Sequence, residues 1–115
     1  MNQTRLDSLK AIRTVIEHDA EIQNEYCNEE GQTCVIGGLA KAKQIPLPAN
    51  AENNEFLNTL PSFENDLLNA YPEVTASELN NLQYINDAYM EREERQAHLL
   101  KEVDSWIEET KAAHG

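Results

Sequence analysis

Apolar residues recur along this chain at intervals of three and four, which is the repeat of one helix face. This spacing constrains the fold more than any other feature. The stripes comprise Leu9, Ile12, Val15, Ile16 and Ala20, then Leu79, Leu82 and Ile85, and finally Leu99, Leu100, Val103, Trp106 and Ile107. No run alternates with period two for long enough to indicate a strand. The 115 residues therefore predict an all-α fold, a compact single-domain bundle of four to six helices of unequal length.

Capping residues and prolines predict where these helices begin and end. We expect helices over 4–23, 34–44, 51–60, 63–70, from about 76 and over 92–112. Thr33 and Ser62 are placed to cap the second and fourth of these helices. Thr75 and Glu78 form a capping box, T-A-S-E. The segment NDAYMERE, residues 86–93, fits either a joint between two helices or the middle of one long helix.

Acidic residues dominate the charge. Nine Lys and Arg against 21 Asp and Glu give a formal net charge of −12, which argues against direct binding to nucleic acid or anionic lipid. No Lys or Arg occurs from Gln44 through Met90. This base-free segment is either an ordinary solvated surface or an acidic face that binds the basic groove of a nucleic-acid-binding protein. The candidate partner-binding residues are Glu52, Glu55, Glu64, Asp66, Glu73 and Glu78.

The two cysteines give little support for a metal or a covalent chemistry. Cys27 and Cys34 are separated by six residues, whereas zinc sites use closer pairs. A cluster would need both thiols to converge with His18 or His98. We predict no metal and no cofactor, and interpret Cys34 as a small buried residue and Cys27 as a loop thiol. A cysteine-dependent enzyme remains an alternative hypothesis, since a thiol near a helix start can have a lowered pKa.

No run approaches the roughly 20 apolar residues that a membrane span needs, and the N-terminus lacks the apolar region of a secretory signal. We therefore expect a cytoplasmic protein with reduced thiols and no membrane partner.

The stretch TCVIGGLA, residues 33–40, is the most apolar window of the chain. Its two glycines suggest a phosphate-binding loop, but neither G-x-G-x-x-G nor the P-loop pattern is present. Glycine inside a helix costs about 1 kcal/mol relative to alanine. We therefore interpret Gly37 and Gly38 as positions where a neighbouring helix comes close.

The aromatic residues Tyr84, Tyr89 and Trp106 could form a hot spot for a partner. We favour core filling instead, because Trp106 lies on the apolar stripe of the last helix. Binding through an apolar and aromatic patch, with the charge serving only solubility, stays open as a second hypothesis.

Several short motifs occur in a familiar order. GQTCVIGGLAKA resembles the C-x-[IL]-G-[AG]-L signature of a family of small uncharacterised proteins of bacteria and bacteriophages. The later segment from Thr75 through Glu78 and Leu79 to Asn86 and Asp87, followed by Arg92 or Arg95, is similar as well. The resemblance spans about residues 4–107 and implies a small helical fold with no catalytic residues to transfer. It also implies a phage or mobile-element origin, and small acidic proteins of that kind often inhibit restriction or CRISPR complexes.

Overall fold

The computed structural model describes residues 3–18, 20–21, 32–46 and 61–114. Its helices are α1 (Gln3–His18), α2 (Val35–Ala42), α3 (Pro61–Ala70), α4 (Ala76–Ala88) and α5 (Arg92–His114). Over these described ranges the regular structure is helical and no strand is present, so the all-α prediction is confirmed. The helix expected over 51–60 lies outside the described residues.

The first helix is shorter than the apolar spacing predicted. α1 ends at His18, and Ala20 adopts the left-handed conformation at φ 61°. Ala20 is nevertheless buried, so the apolar stripe continues into a residue that no longer belongs to the helix. A left-handed residue just past the last turn is a common way for a helix to end.

Two of the three predicted caps are wrong by one residue or more. Cys34, not Thr33, is the N-cap of α2, and its Sγ accepts a hydrogen bond from the Gly37 N–H at 3.3 Å. α3 begins at Pro61, so Ser62 lies inside the first turn. Proline suits that first position because it has no N–H to leave unpaired.

The third predicted cap is confirmed at the start of α4. The Thr75 hydroxyl accepts from the Glu78 N–H, and the Glu78 carboxylate accepts from the Thr75 N–H. At its other end α4 stops at Ala88, Tyr89 is extended, and α5 starts at Arg92. The segment NDAYMERE is therefore a joint between two helices.

The core forms where α1 packs on α5 and α2, and where α4 packs on the same two helices. Tyr71, just after α3, is fully buried, and its Oη donates to the Leu39 carbonyl at 2.7 Å. Cys34 and Trp106 are buried as predicted, and so are Gly37 and Gly38. None of the described helices is long and apolar enough to cross a membrane.

Gln83 is a polar residue inside this core, and we expect its replacement by an apolar residue to stabilise the fold. The side chain is 5% exposed, and neither its amide nitrogen nor its oxygen has a hydrogen-bond partner among the described residues. Leaving a buried polar group unpaired costs roughly 1–3 kcal/mol. Methionine has a similar length and no amide. We expect Gln83→Met to raise the free energy of unfolding in urea by about 1 kcal/mol.

A matched control for that substitution lies on α5. The Gln96 amide donates to the carbonyls of Ile16 and Glu17 at 3.0 and 3.1 Å. Gln96→Met removes those bonds and should lower the free energy of unfolding by about 1 kcal/mol. A loss of stability in Gln83→Met as well would contradict the prediction and would mean that the Gln83 amide is bound by a buried water or another group.

Candidate functional site

The acidic residues of α3 do not share one face of the helix. Phe63 and Leu67 are buried and turn this side of α3 to the core. Each residue advances about 100° around a helix, so the side chains of Glu64 and Asp66 project on opposite sides of the buried stripe that Phe63 and Leu67 form. Asp66 is exposed and Glu64 is half-buried. The predicted residues Glu52 and Glu55 lie outside the described residues.

Glu73 lies in the turn between α3 and α4, and α1 fixes that turn. The Arg5 Nη1 donates to the Glu73 carbonyl at 2.8 Å, and the Ser8 hydroxyl donates to the Pro72 carbonyl at 2.8 Å. Glu73 itself is left-handed, at φ 71°, and exposed. A non-glycine residue in this region is uncommon and needs support from its surroundings. These two hydrogen bonds from α1 fix the backbone of the turn, and the exposed Glu73 side chain extends from that fixed backbone.

Glu78 is bound within the fold. Its carboxylate accepts two hydrogen bonds from the Arg5 guanidinium, at 2.9 and 2.6 Å, in addition to the capping bond from the Thr75 N–H. Burial raises the pKa of Glu78, but the bonds from Arg5 and Thr75 outweigh it and lower the pKa below its ordinary value. Among the predicted partner-binding residues in the described ranges, Glu78 is therefore the one with a clear structural role.

Three of the basic residues form ion pairs within the described part of the chain. All nine Lys and Arg lie within the described residues: Arg5, Lys10, Arg13, Lys41, Lys43, Arg92, Arg95, Lys101 and Lys111. Arg5 pairs with Glu78, Arg13 with Glu17 and Asp104, and Lys111 with Glu108. In the part of the chain that the structure describes, Glu64, Asp66 and Glu73 take part in none of these ion pairs.

Arg95 contributes no charge to the surface, because it is only 3% exposed. Its guanidinium donates to four backbone carbonyls, those of Ala20 at 2.8 Å, Met90 at 2.9 Å, Asn86 at 3.1 Å and Tyr89 at 3.2 Å. These carbonyls follow the C-terminus of α1 or lie at and just beyond the C-terminus of α4, where the helix dipole places negative partial charge. Burial is the main reason why the pKa of Arg95 is lowered, and the guanidinium remains charged.

The short motifs of the sequence meet around Arg95. The Asn86 Oδ1 accepts from the Val35 N–H at 3.0 Å, so the C-terminal end of α4 caps the start of α2. The Asn86 carbonyl in turn accepts from Arg95. CVIGGL, IND and Arg95 therefore form one structural junction.

Cys34 belongs to the same junction and is fully buried. Its sulfur accepts the Gly37 N–H, which is the role of a capping side chain rather than of a nucleophile open to substrate. Cys27 lies outside the described residues. Within the described ranges no three His, Cys, Asp or Glu side chains are grouped so as to hold a metal ion.

The predicted aromatic group is divided by the fold. Trp106 is buried, whereas Tyr84 is 74% exposed, so the core assignment was wrong for Tyr84. Tyr89 is half-buried and stacks on His98, with ring centroids 3.9 Å apart and an interplanar angle of 8°. Met90, which the sequence did not single out, is 81% exposed.

Comparison with models of known families, with curated proteins and with solved structures finds no match for this chain. The family resemblance of CVIGGL and IND therefore stays a prediction.

Proposed function

We propose that this chain is a non-enzymatic protein-binding module whose acidic surface occupies a basic, nucleic-acid-binding groove of a partner protein. One observation carries the proposal. Arg95 is only 3% exposed and Arg5 is paired with Glu78 inside the fold, while Glu64, Asp66 and Glu73 belong to the segment without Lys or Arg. The outward charge is therefore more one-sided than the composition alone indicates.

Such a surface favours association in two ways. Charges of one sign steer an oppositely charged partner and raise the association rate. Carboxylates on a fixed backbone, as at Glu73, also need little ordering when they bind. Inhibition of a host restriction or CRISPR complex is the specific form that the family resemblance suggests for this activity.

Capture of partners from a nuclease-treated bacterial lysate tests the proposal. The immobilised chain should retain nucleic-acid-binding proteins at low salt and release them at about 1 M salt, where the screening length is about 3 Å. Added double-stranded DNA or RNA should displace the same proteins, because both ligands would occupy one groove. Retention that resists both salt and nucleic acid would contradict the proposal.

Charge reversal distinguishes the effect of particular carboxylates from that of net charge. In the triple variant Glu64→Lys, Asp66→Lys and Glu73→Lys we expect at least a tenfold weaker association, equivalent to about 1.4 kcal/mol. The matched control reverses three exposed carboxylates elsewhere, Asp7, Glu108 and Glu109. An equal loss in both variants would show that net charge alone acts, and an unchanged affinity in the first would refute a role for Glu64, Asp66 and Glu73.

A further inference from the structure

The two large apolar side chains that the described residues leave most exposed lie close together in sequence, at one end of α4. Tyr84 is 74% exposed on the penultimate turn of α4, and Met90 is 81% exposed in the joint that follows. We call this surface, residues 84–94, the α4–α5 corner. Only 40% of the residues are apolar, and yet the side chains of Tyr84 and Met90 do not contribute to the small core. Single exposed apolar residues are common, so the local backbone and charge must decide whether this pair matters.

Hydrogen bonds from Arg95 brace the backbone of the corner. Arg95 donates to the Asn86, Tyr89 and Met90 carbonyls, and the Tyr89 ring stacks on His98. The Met90 carbonyl is therefore tied to a buried guanidinium while its side chain extends into solvent. A side chain presented from a fixed backbone loses less conformational freedom when a partner covers it. Tyrosine is enriched among binding hot spots, and methionine adapts to irregular apolar pockets.

The charges at the corner indicate what could cover it. Glu91, Glu93 and Glu94 are exposed. The neighbouring cation, Arg92, has an Nη2 that donates to the His18 carbonyl at 3.4 Å. A second copy of this chain would bring the same carboxylates against themselves, and each copy has a net charge of −12. Like charges in apposition oppose association, so the charge fits a cationic partner and disfavours a dimer.

We infer that the α4–α5 corner docks a protein segment in which apolar side chains are flanked by Lys or Arg. Tyr84 and Met90 enter the apolar part of that segment, and Glu91 and Glu94 meet its cations. This surface is separate in sequence from Glu64, Asp66 and Glu73, and the inference does not depend on the function proposed for those residues.

A displayed library of random peptides, selected against the immobilised full chain, tests this inference. We expect the recovered peptides to be enriched in apolar residues adjacent to Lys or Arg. Their binding should shift the NMR signals of Tyr84 and Met90 first. Tyr84→Ala and Met90→Ala should each lower the affinity for a recovered peptide at least tenfold, as the loss of an anchor residue does. Both side chains are exposed, so the variants should keep the stability of the parent chain.

Two controls separate this surface from others. Asn69→Ala changes an exposed residue of α3 and should leave the affinity of the peptides unchanged. Replacing Glu91 and Glu94 by Gln should lower the affinity for the peptides and reduce the salt dependence of their binding. Glu108→Gln should change neither. Failure of the charge reversal at Glu64, Asp66 and Glu73 would leave these results intact.

Several results would overturn the inference. They are recovery of no peptide, recovery of peptides without basic residues, or full affinity in both alanine variants. A fourth is a dimer in sedimentation velocity that Met90→Ala dissociates, because a second copy would then cover the corner.

Discussion

Replacing Arg95 by methionine should lower the free energy of unfolding by about 3–5 kcal/mol, since the four carbonyls that Arg95 binds lose their donors. Two of these bonds, to Ala20 and Asn86, are buried, and an unpaired buried carbonyl costs roughly 1–3 kcal/mol. The other two acceptors are only partly buried, so water can replace part of their loss. Methionine keeps most of the apolar stem, and the loss therefore reports the guanidinium.

Urea unfolding of the full chain measures this effect as a lower midpoint at an unchanged slope. The urea midpoint of Arg95→Lys should lie between those of the parent chain and Arg95→Met, because lysine keeps the charge but lacks the planar fork that reaches several acceptors. Arg92→Met is the matched control one turn earlier. Its guanidinium is exposed and makes one long bond, at 3.4 Å, so we expect a change within about 0.5 kcal/mol. A stability of Arg95→Met within about 1 kcal/mol of the parent would contradict this account.

The role of Arg95 could not be predicted from the sequence, although much of the surrounding structure could. In the run REER an arginine looks like part of a solvated face. Its burial depends on carbonyls from the end of α4 and from Ala20, which is 75 residues away along the chain. The Thr75–Glu78 box is local, and there the prediction was confirmed. The cap of α2 was assigned to Thr33 because hydroxyls are the usual capping groups, and the thiol of Cys34 takes that role instead.

The spacing of residues along the helices is enough to predict two features of the binding surfaces. Glu64 and Asp66 are two positions apart, which places them about 200° apart on a helix, so a single acidic face was never compatible with α3. Tyr84 lies two positions after Leu82 on the predicted α4 and therefore falls off the stripe that enters the core. Its exposure follows from the same periodicity that identified the helix. Met90 lies in the joint between α4 and α5 and belongs to no helical stripe, so the periodicity does not indicate its exposure.

Gly38→Leu should be the second strongly destabilising substitution, with a loss of about 3 kcal/mol in the free energy of unfolding. Gly37 and Gly38 are both buried in α2, which packs on α1 and α4. The Gly38 N–H donates to the Cys34 carbonyl at 2.8 Å in the first turn, so the backbone here is regular and needs no special conformation. We interpret Gly38 as a position where a side chain has no room, so a leucine should displace a neighbouring helix or break the α2 cap.

Two companion substitutions separate the steric effect from helix propensity. Alanine at position 38 improves the propensity by about 1 kcal/mol, so Gly38→Ala should be less harmful than its added methyl group alone implies. Ala42→Leu places the same large side chain at an exposed position of the same helix, and we expect a change within about 0.5 kcal/mol. If Gly38→Leu were as stable as Ala42→Leu but lost the binding of a partner, close packing would be the wrong explanation. CVIGGL would then belong to the binding surface instead of the core.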